Sequence, residues 1–130
     1  MTIIYTAGPY RATREWGITQ NIRKAETIAL ALWKKGWTVI CPHKNTAYFG
    51  GSLSDETWLE GDLEIIDRCD AMFMVPGWEK SEGSQIEHQR AIEIGMPIYY
   101  KLKDVPIGCL INISLKDTQN KVKGVLNDKK

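Results

Sequence analysis

Soft metal ligands are scarce in this chain. Two histidines, His43 and His88, and three cysteines, Cys41, Cys69 and Cys109, stand among 130 residues. No HxxxH, CxxC or mixed Cys/His spacing joins them, so no metal site is expected. An odd number of cysteines, far apart in sequence, argues against a disulfide frame and for reduced intracellular thiols used as small core residues. Charge of one sign is missing too. Lys+Arg 17 against Asp+Glu 16 leaves a formal net charge of +1, so no general field gathers polymeric nucleic acid or anionic lipid. No apolar run approaches the roughly 20 residues that a membrane span needs, and the N-terminus lacks the basic start of a signal peptide. The expectation is a soluble cytoplasmic protein with no membrane or polymeric nucleic-acid partner. Repeats, linkers and low-complexity tracts are absent, and the length suits one domain over residues 1–130. Carboxylates and hydroxyls are left to carry any chemistry, and no cofactor is called for.

What is present alternates. Thr2 to Ala7 is rich in β-branched residues and stops at Gly8-Pro9, the mark of a buried strand ending in a turn. Apolar residues then recur at Ile18, Ile22, Ala25, Ala29 and Leu32, one face of a helix of about five turns, with Gly36 as its C-terminal stop. Trp37 to Cys41 reads as a second strand, and a loop rich in Asn, Gly and Ser runs from His43 to about Ser54, long enough to fold over a site. Ser54 or Asp55 caps a second helix through about Arg68. Ala71 to Val75 is a third strand closed by Pro76-Gly77. A third helix follows Gly83-Ser84 and stops at Gly95, and Pro97 to Lys101 is a fourth strand. Val105 to Ile113 offers a fifth strand, and the Lys- and Asn-rich stretch from Ser114 a short helix or frayed end. Such alternation defines an α/β fold, a doubly wound parallel sheet of four to five strands with helices on both faces.

In open α/β sheets ligands bind beyond the carboxyl ends of the strands. Three loops lie there: Gly8 to Ala12, Pro42 to Asn45, and Pro76 to Ser84. The third opens a helix, whose unsatisfied N–H groups attract anions, and Ser81, Gly83 and Ser84 suit that role. Glu87 follows in the first turn and projects with Arg90, Ala91 and Ile94 onto the sheet-facing side. Two readings stand: an inward catalytic carboxylate, or the glutamate of an S-x-x-E capping box begun by Ser84. On the second helix Asp62 falls inside the apolar stripe of Leu59, Leu63 and Ile66, whereas Glu64 and Arg68 make an ordinary i, i+4 surface pair. An inward Asp is either bonded to a loop or part of a site. Two inward carboxylates would suit glycosyl transfer, one attacking the anomeric carbon and one protonating the leaving group. Asp70 is a candidate loop anchor, Trp78 either core or a surface for a base, and His43 either a loop residue or a catalyst.

The ordered motifs resemble a known family. Ile4 to Pro9 (IYTAGP), Gly61 to Glu64 (GDLE), Cys69 to Ala71 (CDA) and Gly77 to Glu87 (GWEKSEGSQIE) followed by Ala91 look like the nucleoside 2-deoxyribosyltransferase superfamily. The GWExSxGxxxE form with AGP after the first strand most resembles its small bacterial and phage branch, over about Tyr5 to Tyr100. The resemblance implies a flavodoxin-like fold and a retaining double displacement through a glycosyl-enzyme ester. It aligns Glu87 with the nucleophile, Asp62 with the aspartate that helps protonate the departing base, and Tyr5 with the tyrosine that holds the nucleophile. Six residues before the nucleophile, the nucleoside transferases carry an aspartate; here Ser81 stands. The related 2′-deoxynucleoside 5′-monophosphate N-hydrolases have a serine there, which binds phosphate. Ser81, Gly83, Ser84 and Arg11 would then form an anion nest, beside Gly8 and Pro9 on the first loop, with Phe49, Trp78 and the His43, Lys44, Asn45 loop at the base. Family members commonly complete the pocket with a neighbouring chain, which implies a homodimer or higher homo-oligomer.

The function expected is cleavage or transfer at the N-glycosidic bond of a small nucleoside or nucleotide. The alternative is a nucleotide-binding module that keeps the fold and the anion loop without turnover. A flavodoxin-like electron carrier is a weaker reading, because Gly8 to Thr13 is not a Ser/Thr-rich phosphate loop.

Overall fold

The computed structural model describes residues 2–107. Of the fifth strand expected over Val105 to Ile113, the first three residues are irregular and the rest lie outside the described residues, as do Cys109 and the tail from Ser114.

Four strands form one parallel sheet: β1 (Ile3–Ala7), β2 (Thr38–Ile40), β3 (Ala71–Met74) and β4 (Ile98–Tyr99), in the order β2-β1-β3-β4. Helices α1 (Glu15–Lys34), α2 (Pro42–Asn45), α3 (Asp55–Ile66) and α4 (Glu82–Glu93) fill the connections. Side chains alternate across the sheet, and the two cores follow that alternation. Ile4, Ala71 and Phe73 pack with Ala29, Leu32 and Val39 on the α1 face. Tyr5, Ala7, Met72 and Met74 pack with Ile66 of α3 and Ala91 of α4 on the other. The strand order matches the start of a flavodoxin-like 2-1-3-4-5 sheet, whose order reverses between β1 and β3. A ligand crevice is expected above their carboxyl ends.

Local chemistry explains the element ends. α1 closes on Lys35-Gly36-Trp37, where Trp37 N–H reaches Leu32 O at 3.3 Å and Gly36 N–H reaches Trp33 O at 3.0 Å. Met96 and Gly95 repeat this arrangement on Ala91 and Ile92 at 2.9 and 3.1 Å. Both are Schellman closures, so the stops read at Gly36 and Gly95 hold. Ser54 caps α3 by accepting from Thr57 N–H at 3.2 Å.

Several boundaries move. β2 and β4 are shorter than their apolar runs, α3 ends at Ile66 rather than Arg68, and Pro42 to Asn45 turn once as a helix instead of opening a plain loop, since proline suits a first helical position. The largest change is that α4 begins at Glu82, capped by Ser81, rather than after Gly83-Ser84. Its buried face holds Ser84, Glu87 and Ala91. Ala91 is buried, while Ile94 is exposed and Arg90 turns out to clamp Asp67 at 2.7 and 2.5 Å. Asp70 anchors the start of β1, its carboxylate accepting Ile3 N–H at 2.7 Å, and Glu64 with Arg68 forms the surface pair at 3.5 Å.

Candidate active site

β1 runs between β2 and β3, so its residues are covered on both sides and both faces. Tyr5 is fully buried on the α3/α4 face, with its hydroxyl donating to Glu87 Oε2. Glu87 is only 6 % exposed. Asp62, half-buried on α3, faces the same hydroxyl. The phenol has one proton to give, and in this arrangement Glu87 receives it. Among the described residues, neither carboxylate has a Lys or Arg partner.

Burial without a cation sets the electrostatics. Loss of solvent pushes the Glu87 carboxyl up to about 8; the Tyr5 bond opposes this and the Asp62 charge adds to it. Burial raises Asp62 to about 6, and the Tyr5 hydroxyl draws it back. Tyr5 is held well above its ordinary value by burial and then by the charges of Glu87 and Asp62. Near neutral pH the two carboxylates therefore share about one proton, held mostly by Glu87 at rest, and an ionised Glu87 beside a protonated Asp62 is the minor arrangement of that same protonation state.

The capping-box reading of Glu87 is resolved. Ser81 Oγ accepts Ser84 N–H at 3.3 Å, and the Ser84 hydroxyl donates to Ser81 Oγ at 3.1 Å. Ser84 is thus the third helical residue, and Glu87 lies a turn further in. A glutamate there cannot reach back to the cap, and its partner is Tyr5 instead. The first amides of α4, on Glu82 and Gly83, have no intrahelical acceptor and open an anion-favouring end.

Gly8 and Pro9 leave β1 in tight contact with the end of β3. A Cβ on Gly8 would stand 2.6 Å from that of Val75, so only glycine lets the two strand ends close. Pro9 in turn borders Gly77, where φ is 96°. His43 is buried, and its Nε2 donates to Pro9 O at 2.8 Å, which leaves Nδ1 as an unpartnered acceptor. Its pKa is lowered by burial. The ring therefore braces the first loop as a neutral imidazole. Trp78 packs on the Tyr5 core and stacks on His88 at 4.3 Å, and His88 Nε2 bonds Tyr100 Oη at 2.8 Å. This His88 and Tyr100 cluster had no sequence signal, because the partners sit on different elements.

Other expected contacts are not gathered at Glu87. Arg11 pairs with Asp55 at the start of α3 and is largely exposed. Phe49 leans on Trp58 at 6.1 Å. Lys44 and Asn45 border a groove of about 680 Å³ with Leu30, Trp33 and Cys41, along the β2 edge. A second cavity, of about 440 Å³, surrounds the Asp67 and Arg90 pair. Neither is lined by Tyr5, Asp62 or Glu87. The chemistry nevertheless points to the carboxylates, because buried acids without cations cost stability and persist chiefly at working sites, whereas Asp67 and Arg90 satisfy each other. Among the described residues, no group of three or more His, Cys, Asp or Glu could hold a metal ion, and no helix is long and apolar enough to cross a membrane.

The fold and this carboxylate site define a doubly wound, flavodoxin-like α/β protein. The chain belongs to the family described as Domain of unknown function (DUF4406), whose model matches residues 3–100. Among solved structures it is similar to a 2-deoxyribosyltransferase from the psychrotolerant bacterium Bacillus psychrosaccharolyticus, with 22% identity and a TM-score of 0.57. That similarity covers 75% of this chain and 69% of the other and establishes the shared fold. No curated protein matches the chain.

Proposed function

We propose that this chain cleaves or transfers at the N-glycosidic bond of a (deoxy)nucleoside 5′-monophosphate or nucleoside, by a retaining double displacement. The observation that carries this reading is the buried Glu87 carboxylate held by the Tyr5 hydroxyl, with Asp62 facing the same hydroxyl. The similarity to a 2-deoxyribosyltransferase supports a nucleoside as the substrate class.

In the first step the pair's one proton passes to Asp62, and the ionised Glu87 oxygen attacks C1′ as the C1′–N bond breaks. The bonding pair leaves with the base, which takes the Asp62 proton. The result is a glycosyl ester on Glu87, a free base and an Asp62 carboxylate. In the second step Asp62 takes a proton from water or from an acceptor base, whose oxygen or nitrogen bonds C1′ while the C1′–O bond to Glu87 breaks. Glu87 leaves as a carboxylate and Asp62 is again an acid. Every step draws on this chain's own carboxylates. The Glu82 and Gly83 amides, beside Ser81, are the proposed seat of a 5′-phosphate. Arg11 would join them only by giving up Asp55. In this reading the chain works in the cytoplasm as a homo-oligomer.

Incubation with a panel of deoxynucleosides and their 5′-monophosphates tests it, with free base as the readout and mass spectrometry of quenched protein to find a glycosyl mass on the peptide bearing Glu87. Tight nucleotide binding without base release from any substrate would replace the enzyme reading with a binding module.

A further inference from the structure

We propose that the Asp67 and Arg90 ion pair is a positioning device for the candidate site, fixing the register of α3 against α4 and with it the placement of Asp62 relative to Glu87. The inference rests on the double displacement proposed above and adds two residues that touch neither substrate nor reacting atoms.

Geometry carries it. Arg90 donates through Nε to Asp67 Oδ1 at 2.7 Å and through Nη2 to Asp67 Oδ2 at 2.5 Å, a two-pronged arrangement that fixes direction as well as distance. Asp67 closes α3 and Arg90 stands in the last turn of α4, so the bond ties one helix to the other. Beside it Ile66 and Ala91 are both fully buried in the core that holds Tyr5. Asp62 lies four residues before Ile66, and Glu87 four before Ala91. Residues at i and i+4 share a helix face, so each carboxylate sits one turn away from a residue of this pinned contact. A slip of either helix at the pair is therefore carried to the carboxylates.

Two further features separate this role from ordinary capping or packing. A carboxylate at the end of a helix opposes the helix dipole, and α3 has no basic residue in its last turn to offset Asp67. Arg68, the next residue, turns back to Glu64. Local helix chemistry thus disfavours an acid at position 67, and its compensating bond is made to another helix. Packing also stops at the pair, which is surrounded by a cavity of about 440 Å³ bordered by Cys69, Ile94 and Met96. On that side the ion pair, not side-chain packing, bridges α3 to α4. A single partly exposed ion pair adds little to stability, whereas a displacement of ~1 Å at reacting groups can cost about 10²-fold in rate. Loss of the pair should therefore tell on the reaction more than on folding.

The test uses two substrates that wild type cleaves, a deoxynucleoside or deoxynucleotide with its natural base and an analogue whose base leaves more readily. The readout is the ratio of their kcat values, natural over activated, in which the amount of folded enzyme cancels. In Asp67→Asn that ratio should fall about tenfold, because an Asp62 displaced from the leaving base withholds proton help where it matters most. KM for both substrates should change little. The double variant Asp67→Arg with Arg90→Asp rebuilds the pair with its ends exchanged and should restore most of the ratio. Arg90→Lys keeps the charge but loses the planar fork, and should fall between wild type and Asp67→Asn. An unchanged ratio in Asp67→Asn would overturn the proposal while leaving the double displacement standing. A double variant no better than the single one would also overturn it, since each residue would then act by itself. If Asp67→Asn does not fold, Arg90→Lys supplies the comparison, and an unchanged ratio there is equally fatal. Wild type that releases no base from any substrate, or forms no ester on Glu87, would remove the double displacement and this inference with it.

Discussion

The Tyr5 hydroxyl on β1 donates to the Glu87 carboxylate on α4, two groups 82 residues apart in sequence and both buried. A phenol can satisfy one lone pair of a carboxylate but cannot neutralise it. The fold therefore holds an acid in its interior at a cost to stability, and the neighbouring Asp62 increases that cost.

Replacing Glu87 by Gln should abolish base release and leave the protein more stable in alkali. An amide has nearly the shape of the acid but supplies no anionic nucleophile. The sign of the stability effect follows from the raised pKa. Between the ordinary 4.5 and about 8 the folded state binds more protons than the unfolded chain, so wild-type stability falls as pH rises through that window. The variant lacks this loss, which is on the order of a few kcal/mol at about 1.4 kcal/mol per pKa unit. Thermal melts should nearly coincide at pH 4 and separate progressively up to pH 8, with the variant higher. Full turnover in the variant would remove Glu87 from the chemistry.

The pH dependence of kcat/KM should be bell-shaped, with limbs near 6 and 8. Those are the values to which burial pushes Asp62 and Glu87, and activity needs the state in which the pair holds one proton. The limbs belong to the pair, so the profile does not depend on which carboxyl holds the proton at rest. A rate that kept rising beyond pH 9 would show that no protonated acid is used.

Much of this arrangement was legible in the sequence. The alternation of strand and helix, the Gly36 and Gly95 stops and the Ser54 cap are local signals, and the folded chain keeps them. Asp62 inside an apolar stripe and Glu87 on the face of α4 that holds Ala91 were readable as inward carboxylates, and both approach Tyr5. Tyr5 by itself looked like any buried strand residue; only the family resemblance marked it. The start of α4 was misread because two serines, Ser81 and Ser84, both suit a cap, and only the folded loop shows that Ser81 takes the position. Arg90 was placed inward by helical projection, yet Asp67 draws it out, since a bidentate ion pair at the helix flank outweighs a one-residue phase argument. Nothing along the chain signalled that His43 would turn to Pro9 O, a contact between two loops.

Asp62→Asn should slow reaction with basic leaving groups more than with activated ones. General-acid help is worth typically ~10²–10⁴-fold and matters most when the departing base holds its electrons poorly. Comparing kcat for two substrates that differ in leaving-group pKa reads this directly. Equal losses on both would make Asp62 a structural partner of Tyr5.

The chain should associate into a homodimer or higher homo-oligomer. Trp16 and Trp33 are 66 % and 51 % exposed, and Tyr48, Phe49 and Leu53 are also on the surface, an unusual load of large apolar groups for a small protein to leave in water. Light scattering across micromolar concentrations is the check, and a monomer with full activity would reject it.

A 5′-monophosphate should be preferred over its nucleoside, and Ser81→Asp should reverse or erase that preference. Ser81 is the cap of α4, and Asp is as good a cap as Ser, so the variant should keep the helix start while changing its charge. A helix start carries roughly half a positive charge and free N–H donors, which suit a phosphate of charge about −2. An added carboxylate would repel that phosphate yet still accept a bond from a free 5′-hydroxyl. The loss should appear chiefly as a higher KM for the monophosphate, with kcat for the nucleoside little changed. In wild type the preference should shrink as salt screens the exposed part of the contact. The Glu82 carboxylate in the first turn already opposes a phosphate there, so Glu82→Gln should move the preference in the opposite direction to Ser81→Asp. Measuring kcat/KM for one deoxynucleoside and its monophosphate in the three proteins decides the matter. Equal wild-type values for the two substrates would assign the α4 start to capping alone and leave an unphosphorylated nucleoside as the substrate.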